Sequence, residues 1–428
     1  MPRSAVPEAP EAPGPLRPVP AGRRIGAVLA LLTLCALALG PSGAVAAAGP
    51  EPAGTPGTGA VATPLYVSDY GNDRVLRVPA DGSGGQTVVP ATGLVRPTGM
   101  AVDAAGALYV SDTGNNRVVR LPSDGGPQVT VATDGLSRPL GLALDGAGDL
   151  YIADSFNDRV VKVAADGSGQ VTVPTTGLLH PWGLAFDGEG ALYVSDFVND
   201  RVVKLPGGGA RQTTVPITGL SQPAGIVLDP RGNLYVSDTG NNRVVRVEAD
   251  GSGQRTVPAT GLSDPLGLAL DERGDLFVAD AFNNRVLRLD PDGGGQSVLP
   301  LTGLNTPTGL AVPPTRTRLT AAPATALHGS HPQTLTVRGL AATLTTARHT
   351  PVPGQTVVFS DAWRKRTLCA AVTDHRGTAR CDAVVHAPEP VLDHLSEALH
   401  RHGYLARYEG TSVYAPASAQ GAVRPGRP

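Results

Sequence analysis

Aspartate and arginine side chains recur at a fixed spacing through the middle of the chain, and they are the first candidates for chemistry. Each aspartate precedes an arginine by five positions in a D-x-x-N-[ND]-R pattern. The aspartates are Asp69, Asp112, Asp154, Asp196, Asp238 and Asp280, and the arginines are Arg74, Arg117, Arg159, Arg201, Arg243 and Arg285. Such carboxylates could ring a metal ion, but in a tight turn they usually accept backbone N–H groups. Because every copy is alike, we interpret the pattern as structural and assign it no catalytic residue and no metal ligand.

Histidine is the other residue type able to catalyse or bind metal here, and its distribution is uneven. Eight of the nine histidines follow residue 327, and only His180 lies among the repeated segments. A single imidazole cannot build a multi-histidine zinc site. It could still act as a general base, or it could be a structural residue.

A repeated sequence must position these side chains. The motif LYVSD, or a close variant, starts at Leu65, Leu108, Leu150, Leu192, Leu234 and Leu276, so the copies lie 42 or 43 residues apart. Each repeat contains four short alternating or β-branched segments separated by turn residues, which is typical of a propeller blade. In the fourth repeat these segments are Pro181 to Asp187, Ala191 to Asp196, Arg201 to Leu205 and Gln212 to Pro216.

The two ends of the array predict how the ring closes. The chain enters at a second strand, at Leu65, and leaves at a first strand, Pro307 to Val312, with no second strand after it. These fragments complete one blade, and closure removes exposed sheet edges. We therefore predict an all-β fold with a six-bladed propeller over residues 64–313.

The repeat resembles a known family. The phrases PxGLALD and LYVSDTGNNRVVRL, the latter at Leu108 to Leu121, resemble the NHL repeat. The pattern is similar to the extracellular six-bladed NHL sensor domain of actinobacterial membrane Ser/Thr kinases. This chain has no kinase Gly-rich loop, HRD or DFG stretch, so the resemblance implies extracellular recognition and not kinase activity.

The N-terminus predicts export. Arg23 and Arg24 precede an apolar run, Ile25 to Gly40, and small residues follow at Ala44 and Ala46. This pattern indicates a signal peptide over residues 1–46, followed by a flexible linker over residues 47–63, with an uncleaved anchor as the alternative. No further run of membrane length follows residue 50. We expect a secreted, extracellular or cell-envelope-associated monomer with no membrane span in the mature chain.

Charge is distributed unevenly between the repeat region and the C-terminal region. Residues 65–312 carry 18 basic and 27 acidic side chains, a net −9, whereas residues 313–428 carry 13 and 7, a net +6. An acidic domain repels polyanions, so we predict no nucleic-acid partner.

The C-terminal segment has a different sequence character. Over residues 316–423 the phrases PVPGQTVVFS, LCAAVTDHRGTARC and YEGTSVYAPASA resemble bacterial Ig-like domains, with a short helix at VLDHLSEALHRHGY and a disordered tail over residues 424–428. Cys369 and Cys381 are expected to form a disulfide in an oxidising compartment, although a metal pair is the alternative.

A ligand-binding surface is predicted on one face of the propeller. The loop between blades and the loop between second and third strands must emerge together, and this aromatic-poor chain places several aromatic residues there. The predicted ligand-binding residues are Trp182, Phe156, Phe197, Phe282, Tyr70, Arg138, His180 and Leu266. They would bind a protein, a peptide or a cell-envelope ligand. The alternative is that these side chains plug the mouth of the channel.

Two other functions are kept open. The chain could be a secreted lyase or hydrolase that uses His180 and channel carboxylates; streptogramin-cleaving lyases are a related propeller type with a histidine base and magnesium, but they have seven blades. It could also be a structural wall component. We expect no cofactor, with a structural Ca²⁺ in the channel as the one exception left open.

Overall fold

The computed structural model describes residues 63–207, 211–290, 292, 295–328, 333–411 and 413–426. The chain divides into two units, Met1–Thr58 and Gly59–Pro428, and all described residues belong to the second. The predicted signal peptide and nearly all of the predicted linker lie outside the described residues. Within the described part, no helix has both the length and the apolar character that a transmembrane span requires.

Six four-stranded antiparallel sheets form the first domain, and each corresponds to one sequence repeat. Sheet 1 contains β24 (Pro307–Ala311), β1 (Pro64–Asp69), β2 (Arg74–Pro79) and β3 (Thr87–Val88). Sheet 2 contains β4 (Pro97–Val102), β5 (Leu108–Asp112), β6 (Arg117–Leu121) and β7 (Val129–Thr130). Sheet 3 contains β8 (Pro139–Leu144), β9 (Leu150–Asp154), β10 (Arg159–Val163) and β11 (Gln170–Thr172).

The other three sheets repeat this order from the inner strand to the outer strand. Sheet 4 contains β12 (Pro181–Phe186), β13 (Leu192–Asp196), β14 (Arg201–Leu205) and β15 (Thr213–Thr214). Sheet 5 contains β16 (Pro223–Leu228), β17 (Leu234–Asp238), β18 (Arg243–Val247) and β19 (Gln254–Thr256). Sheet 6 contains β20 (Pro265–Leu270), β21 (Leu276–Asp280), β22 (Arg285–Asp290) and β23 (Gly295–Val298). The prediction of an all-β propeller is confirmed.

The ring closes as the chain ends predict. Strand β24 pairs antiparallel with β1, and Val67 lies opposite Leu310. A glycine in every inner strand lies against the next inner strand, so close that a Cβ atom at Gly99 would overlap the carbonyl oxygen of Leu140. The same contact runs round the ring to Gly309, where a Cβ atom would overlap the carbonyl oxygen of Thr98. The P-x-G motif therefore brings six inner strands together around one axis.

Hydrophobic side chains between neighbouring sheets hold the ring together. Val194 and Val203 of sheet 4 pack with Ala153 and Val160 of sheet 3, and all four are fully buried. Burying an aliphatic side chain of this size contributes about 1.5–3 kcal/mol, and each sheet repeats the arrangement.

A second, smaller domain follows the propeller and consists of two sheets and one helix. One sheet contains β25 (Thr317–Ala321), β27 (Thr334–Thr346), β26 (Ala324–His328), β33 (Val423–Pro425) and β30 (Thr378–His386). The other contains β29 (Thr367–Val372), β28 (Thr356–Asp361), β31 (Tyr404–Tyr408) and β32 (Ala417–Gly421). Phe359, Tyr404 and Tyr408 are buried in their shared core.

The predicted disulfide and helix are both present in this domain. Cys369 of β29 is bonded to Cys381 of β30, so the bridge joins the two sheets. The helix α1 (Glu389–His402) ends at Gly403 and buries Leu392 and Leu399 in the core. Residues 424 and 425, which the sequence predicts to lie in a disordered tail, belong to β33 and pair in parallel with β26.

The second domain packs against one face of the propeller. Val413 is buried in a cluster with propeller residues such as Leu270. The backbone N–H of Thr315 donates to the carbonyl oxygen of Val413 at 2.7 Å, and Nε2 of Gln355 donates to the carbonyl oxygen of Pro230 at 2.5 Å. Pro230 lies between first and second strands, so this domain covers the face opposite the predicted ligand-binding loops.

Candidate functional site

The repeated aspartate and arginine build the loops of the uncovered face. In sheet 4, Nε of Arg201 donates to Oδ2 of Asp196 at 2.6 Å. Oδ1 of Asp196 accepts the backbone N–H of Leu179 at 2.7 Å, while Nη2 of Arg201 donates to the carbonyl oxygen of Gly177 at 2.8 Å. The pair therefore ties the turn after the second strand to the loop between blades. The same Asp–Arg pair occurs in all six sheets, which confirms its structural interpretation.

The residue before each inner-strand proline is held in a left-handed conformation. His180 has φ of 51°, and its backbone N–H donates to Oδ1 of Asp158 in the preceding sheet at 2.8 Å. Arg138 has φ of 48° and donates in the same way to Asn116. These loops are thus fixed by hydrogen bonds before any ligand binds, which lowers the entropic cost of binding.

Four of the eight predicted ligand-binding residues are buried in the propeller. Trp182 is 9% exposed and Phe197 is 1% exposed, and their ring centroids lie 5.2 Å apart. Tyr70 and Leu266 are buried in equivalent positions. Of these four, Trp182 lines the channel, and none of the four side chains forms part of an exposed surface.

Three of the other predicted residues form one accessible group, here called the aromatic-basic cluster. The guanidinium carbon of Arg138 lies 4.9 Å from the ring centroid of Phe156, and the Phe156 and His180 centroids are 4.8 Å apart. All three side chains are half-buried, so one side of the stack packs and the other faces solvent. A cation above an aromatic face and a ring beside it give this cluster defined geometry and a positively charged guanidinium, while the Asp158 carboxylate lies 3.6 Å from Nδ1 of His180.

The eighth predicted residue lies elsewhere on the same face. Phe282 is 41% exposed and belongs to sheet 6, whereas Phe156 belongs to sheet 3, across the ring. The sequence prediction grouped these two phenylalanines because they occupy the same position in the repeat.

Exposed apolar side chains extend the aromatic-basic cluster towards sheet 4. Leu179 is 37% exposed and Val198 is 41% exposed, and the backbone N–H of Val198 donates to the carbonyl oxygen of Leu179 at 3.3 Å. The sequence analysis did not select Leu179. The sequence nevertheless distinguishes Leu179, because the equivalent position holds serine in three other repeats, at Ser137, Ser221 and Ser263.

His180 does not share a site with the channel carboxylates. Its Nδ1 lies 3.1 Å from the carbonyl oxygen of Ser155, and only a protonated nitrogen satisfies that acceptor, which leaves Nε2 for an outside partner. Asp187 follows the far end of the same inner strand, about 20 Å away at 3.3 Å per residue. The two residues therefore cannot act on one bond.

The channel side chains do not fit the magnesium or calcium ion that the lyase resemblance and the channel prediction would place there. Both ions require several oxygen ligands. Among the described residues, no group of three or more His, Cys, Asp or Glu side chains is placed to hold a metal ion. The inner strands present mainly glycine, alanine and leucine to the channel.

The carboxylates at the covered end of the channel are already paired. Asp187 lies 3.0 Å from Nζ of Lys204, and Asp145 lies 3.4 Å from Nζ of Lys162. Burial opposes the charge of Lys162, but its hydrogen bonds to Asp149 and Tyr151 outweigh burial and raise its pKa. These ion pairs stabilise the turns that follow the inner strands of sheets 3 and 4.

Comparison with known proteins gives the family. A model of the virginiamycin B lyase family matches residues 57–300, which is more than half of the chain. The chain belongs to this family. No curated protein matches the chain significantly.

Several solved structures are similar to this chain, and the first of them, with a TM-score above 0.5, shows the propeller fold. The crystal structure of a nidogen/laminin complex matches with a TM-score of 0.54 and 21% identity, over 58% of this chain and 98% of that chain. An inactive histidine variant of virginiamycin B lyase from Staphylococcus aureus, with quinupristin, matches with a TM-score of 0.45 and 17% identity, over 60% and 93%. A streptogramin B lyase matches with a TM-score of 0.42 and 16% identity, over 70% and 95%. At these identities the likeness shows the fold alone.

Proposed function

We propose that this protein is a secreted or cell-envelope-associated binding protein, and that the aromatic-basic cluster recognises a segment of a partner protein or peptide. The stacked arrangement of Arg138, Phe156 and His180 carries the proposal, because it is accessible on the face that the second domain leaves uncovered. Arginine and aromatic residues dominate the energetics of protein interfaces. The second domain, which contains the disulfide and which we infer to be Ig-like, would present this face outwards.

The chemistry of the cluster suggests what the partner segment contains. Arg138 offers a guanidinium, which pairs well with a carboxylate. Phe156, Leu179 and Val198 offer apolar surface beside it. The expected ligand therefore combines an acidic side chain with an aliphatic or aromatic one. The nidogen/laminin complex was solved with a chain of this fold, so the fold is compatible with protein recognition.

An array of short peptides that pair Asp or Glu with Leu, Phe or Val tests the proposal. Binding of the fluorescently labelled full chain to the array should be saturable for a subset of these peptides. Phe156→Ala and Arg138→Ala should each weaken that binding about tenfold or more, as expected for a hot-spot residue.

Phe282→Ala is the matched control, since Phe282 has the same position in its repeat but lies across the ring. It should leave the affinity unchanged. Equal losses in both phenylalanine variants, or saturable binding only to cell-wall carbohydrate fractions, would overturn the peptide proposal.

A second candidate function is a lyase or hydrolase, and the family match over residues 57–300 favours it. In this reading His180 is the base. Incubation with quinupristin, followed by liquid chromatography, separates the candidates. Turnover that disappears in His180→Ala would support the enzyme, whereas no conversion is the result expected for a binding protein.

A further inference from the structure

The six inner strands surround a channel with a volume of about 480 Å³. At one equivalent position, each inner strand has a large apolar residue that lines the channel. These residues are Met100, Leu142, Leu184, Ile226, Leu268 and Leu310. The volume falls within the range of small-molecule sites, roughly 300–1,000 Å³.

The propeller itself closes one end of this channel. Trp182, Thr98 and Thr308 line that end and are buried. Oγ1 of Thr98 and Oγ1 of Thr113 are 2.6 Å apart, so the hydroxyl groups at the closed end are hydrogen-bonded to each other.

The second domain forms the wall at the other end. Glu409, Gly410, Thr411 and Pro416, which follow β31, line the channel together with the inner strands. Val413, in the same segment, is 3% exposed and packs into a propeller cluster. The cavity is therefore built from two domains that are in contact, which is a frequent location for ligand sites.

The charges around the channel are neutralised within the protein. Asp103, Asp145 and Asp187 lie at the covered end, and each pairs with a cation of its own sheet. Glu409 lies 3.2 Å from Nε of Arg407. Because the lining is largely apolar and these carboxylates have partners, the described lining residues offer no unpaired charge to an ionic ligand.

We propose that the channel is a binding site for an uncharged, largely apolar small molecule, with Glu409, Gly410, Thr411 and Pro416 of the second domain as its lower wall. The site is separate from the aromatic-basic cluster, because none of Arg138, Phe156 and His180 lines the channel. Ordered water would find few polar partners in the middle of this channel, so displacement of water by an apolar group is favourable there.

The neutral fluorescent probe N-phenyl-1-naphthylamine tests this site in the full chain. The protein has two tryptophans, so Trp363→Phe leaves Trp182, at the channel, as the single donor. The probe should show saturable fluorescence enhancement at one site per chain, with energy transfer from Trp182. Enhancement without transfer from Trp182, or no enhancement, would overturn the proposal.

Ala143→Phe should block the site, because Ala143 lines the channel and a phenyl ring would occupy part of its volume. We expect probe affinity to fall about tenfold or more. Ala347→Phe, on the exposed surface of the second domain, is the matched control and should bind the probe unchanged. If Ala143→Phe does not fold, the energy transfer in the Trp363→Phe protein decides the question by itself.

Discussion

Asp196 and Arg201 form an ion pair with 2.6 Å between Oδ2 and Nε, in which the carboxylate is completely buried and the guanidinium is 31% exposed. The carboxylate also accepts hydrogen bonds from Leu179 and Asn199. One side chain therefore fixes the relative positions of a turn, an inter-blade loop and a strand end. Since the loop it fixes carries His180, the ion pair also positions the aromatic-basic cluster.

Removing this carboxylate should be costly. Asp196→Ala leaves the backbone N–H of Leu179 and the side chains of Asn199 and Arg201 without their acceptor, and the loss of a hydrogen bond to a charged group typically costs about 1.5–3 kcal/mol. The free energy of unfolding, measured by urea titration, should fall by that amount. Asp250→Ala, which removes an exposed turn carboxylate, should leave it unchanged. Equal effects in both variants would contradict the buried role of Asp196.

The glycine ring predicts a steric effect from one methyl group. In Gly141→Ala the new Cβ atom would overlap the carbonyl oxygen of Trp182, so two inner strands must move apart. Overpacking of this kind costs roughly 1–3 kcal/mol, and the thermal midpoint should fall accordingly. Gly253→Ala is the control, because no atom lies within 4 Å of its Cβ position. An unchanged midpoint for Gly141→Ala would show that the two inner strands leave room for a methyl group at this position.

The burial of Trp182 predicts its fluorescence. In a Trp363→Phe protein, iodide should quench the remaining emission weakly, because Trp182 is 9% exposed and packs against Phe197. In a Trp182→Phe protein, the emission of Trp363 should be quenched strongly, since Trp363 is 55% exposed. Strong quenching of Trp182 would mean that the channel mouth is open in solution.

Alkaline pH should weaken the fold through buried tyrosines. Burial, with a further contribution from Asp229, raises the pKa of Tyr235 to about 12 from an ordinary value of 10.0. Above pH 10 the unfolded chain loses this proton first, so stability is complete below pH 10 and falls as pH rises towards 12. Tyr235→Phe should lessen the fall, and it should fold because Phe277 occupies the same position in sheet 6. An identical pH profile for Tyr235→Phe and the natural chain would refute this assignment.

The docking of the second domain can be tested at Val413. Val413→Asp would bury a charge among Leu270 and Leu276, which should separate the two domains and divide one calorimetric unfolding transition into two. Val384→Asp, at a position that is 56% exposed, should keep the single transition. Two transitions in the natural chain would show that this contact does not couple the domains.

The sequence determined the propeller because its signals are local and repeated. The 42-residue period, the alternation within strands such as β13, and the turn residues act over a few positions, so they are visible without any contact information. Ring closure was also predictable, since the end fragments at Leu65 and Pro307 supply complementary strands. The buried role of the Asp–Arg pairs followed from turn chemistry.

Only the tertiary structure decided which loop residues reach solvent. Phe156 and Phe197 occupy adjacent positions of the same turn in neighbouring repeats, yet Phe197 is buried and Phe156 is half-exposed. Their exposure depends on where the channel axis lies relative to the turn, which no local pattern records. Which face of the propeller is covered likewise depends on the contacts that Val413 and Gln355 make with it. These contacts join residues that are distant in the chain, and they do not recur from repeat to repeat, so no sequence pattern predicts them.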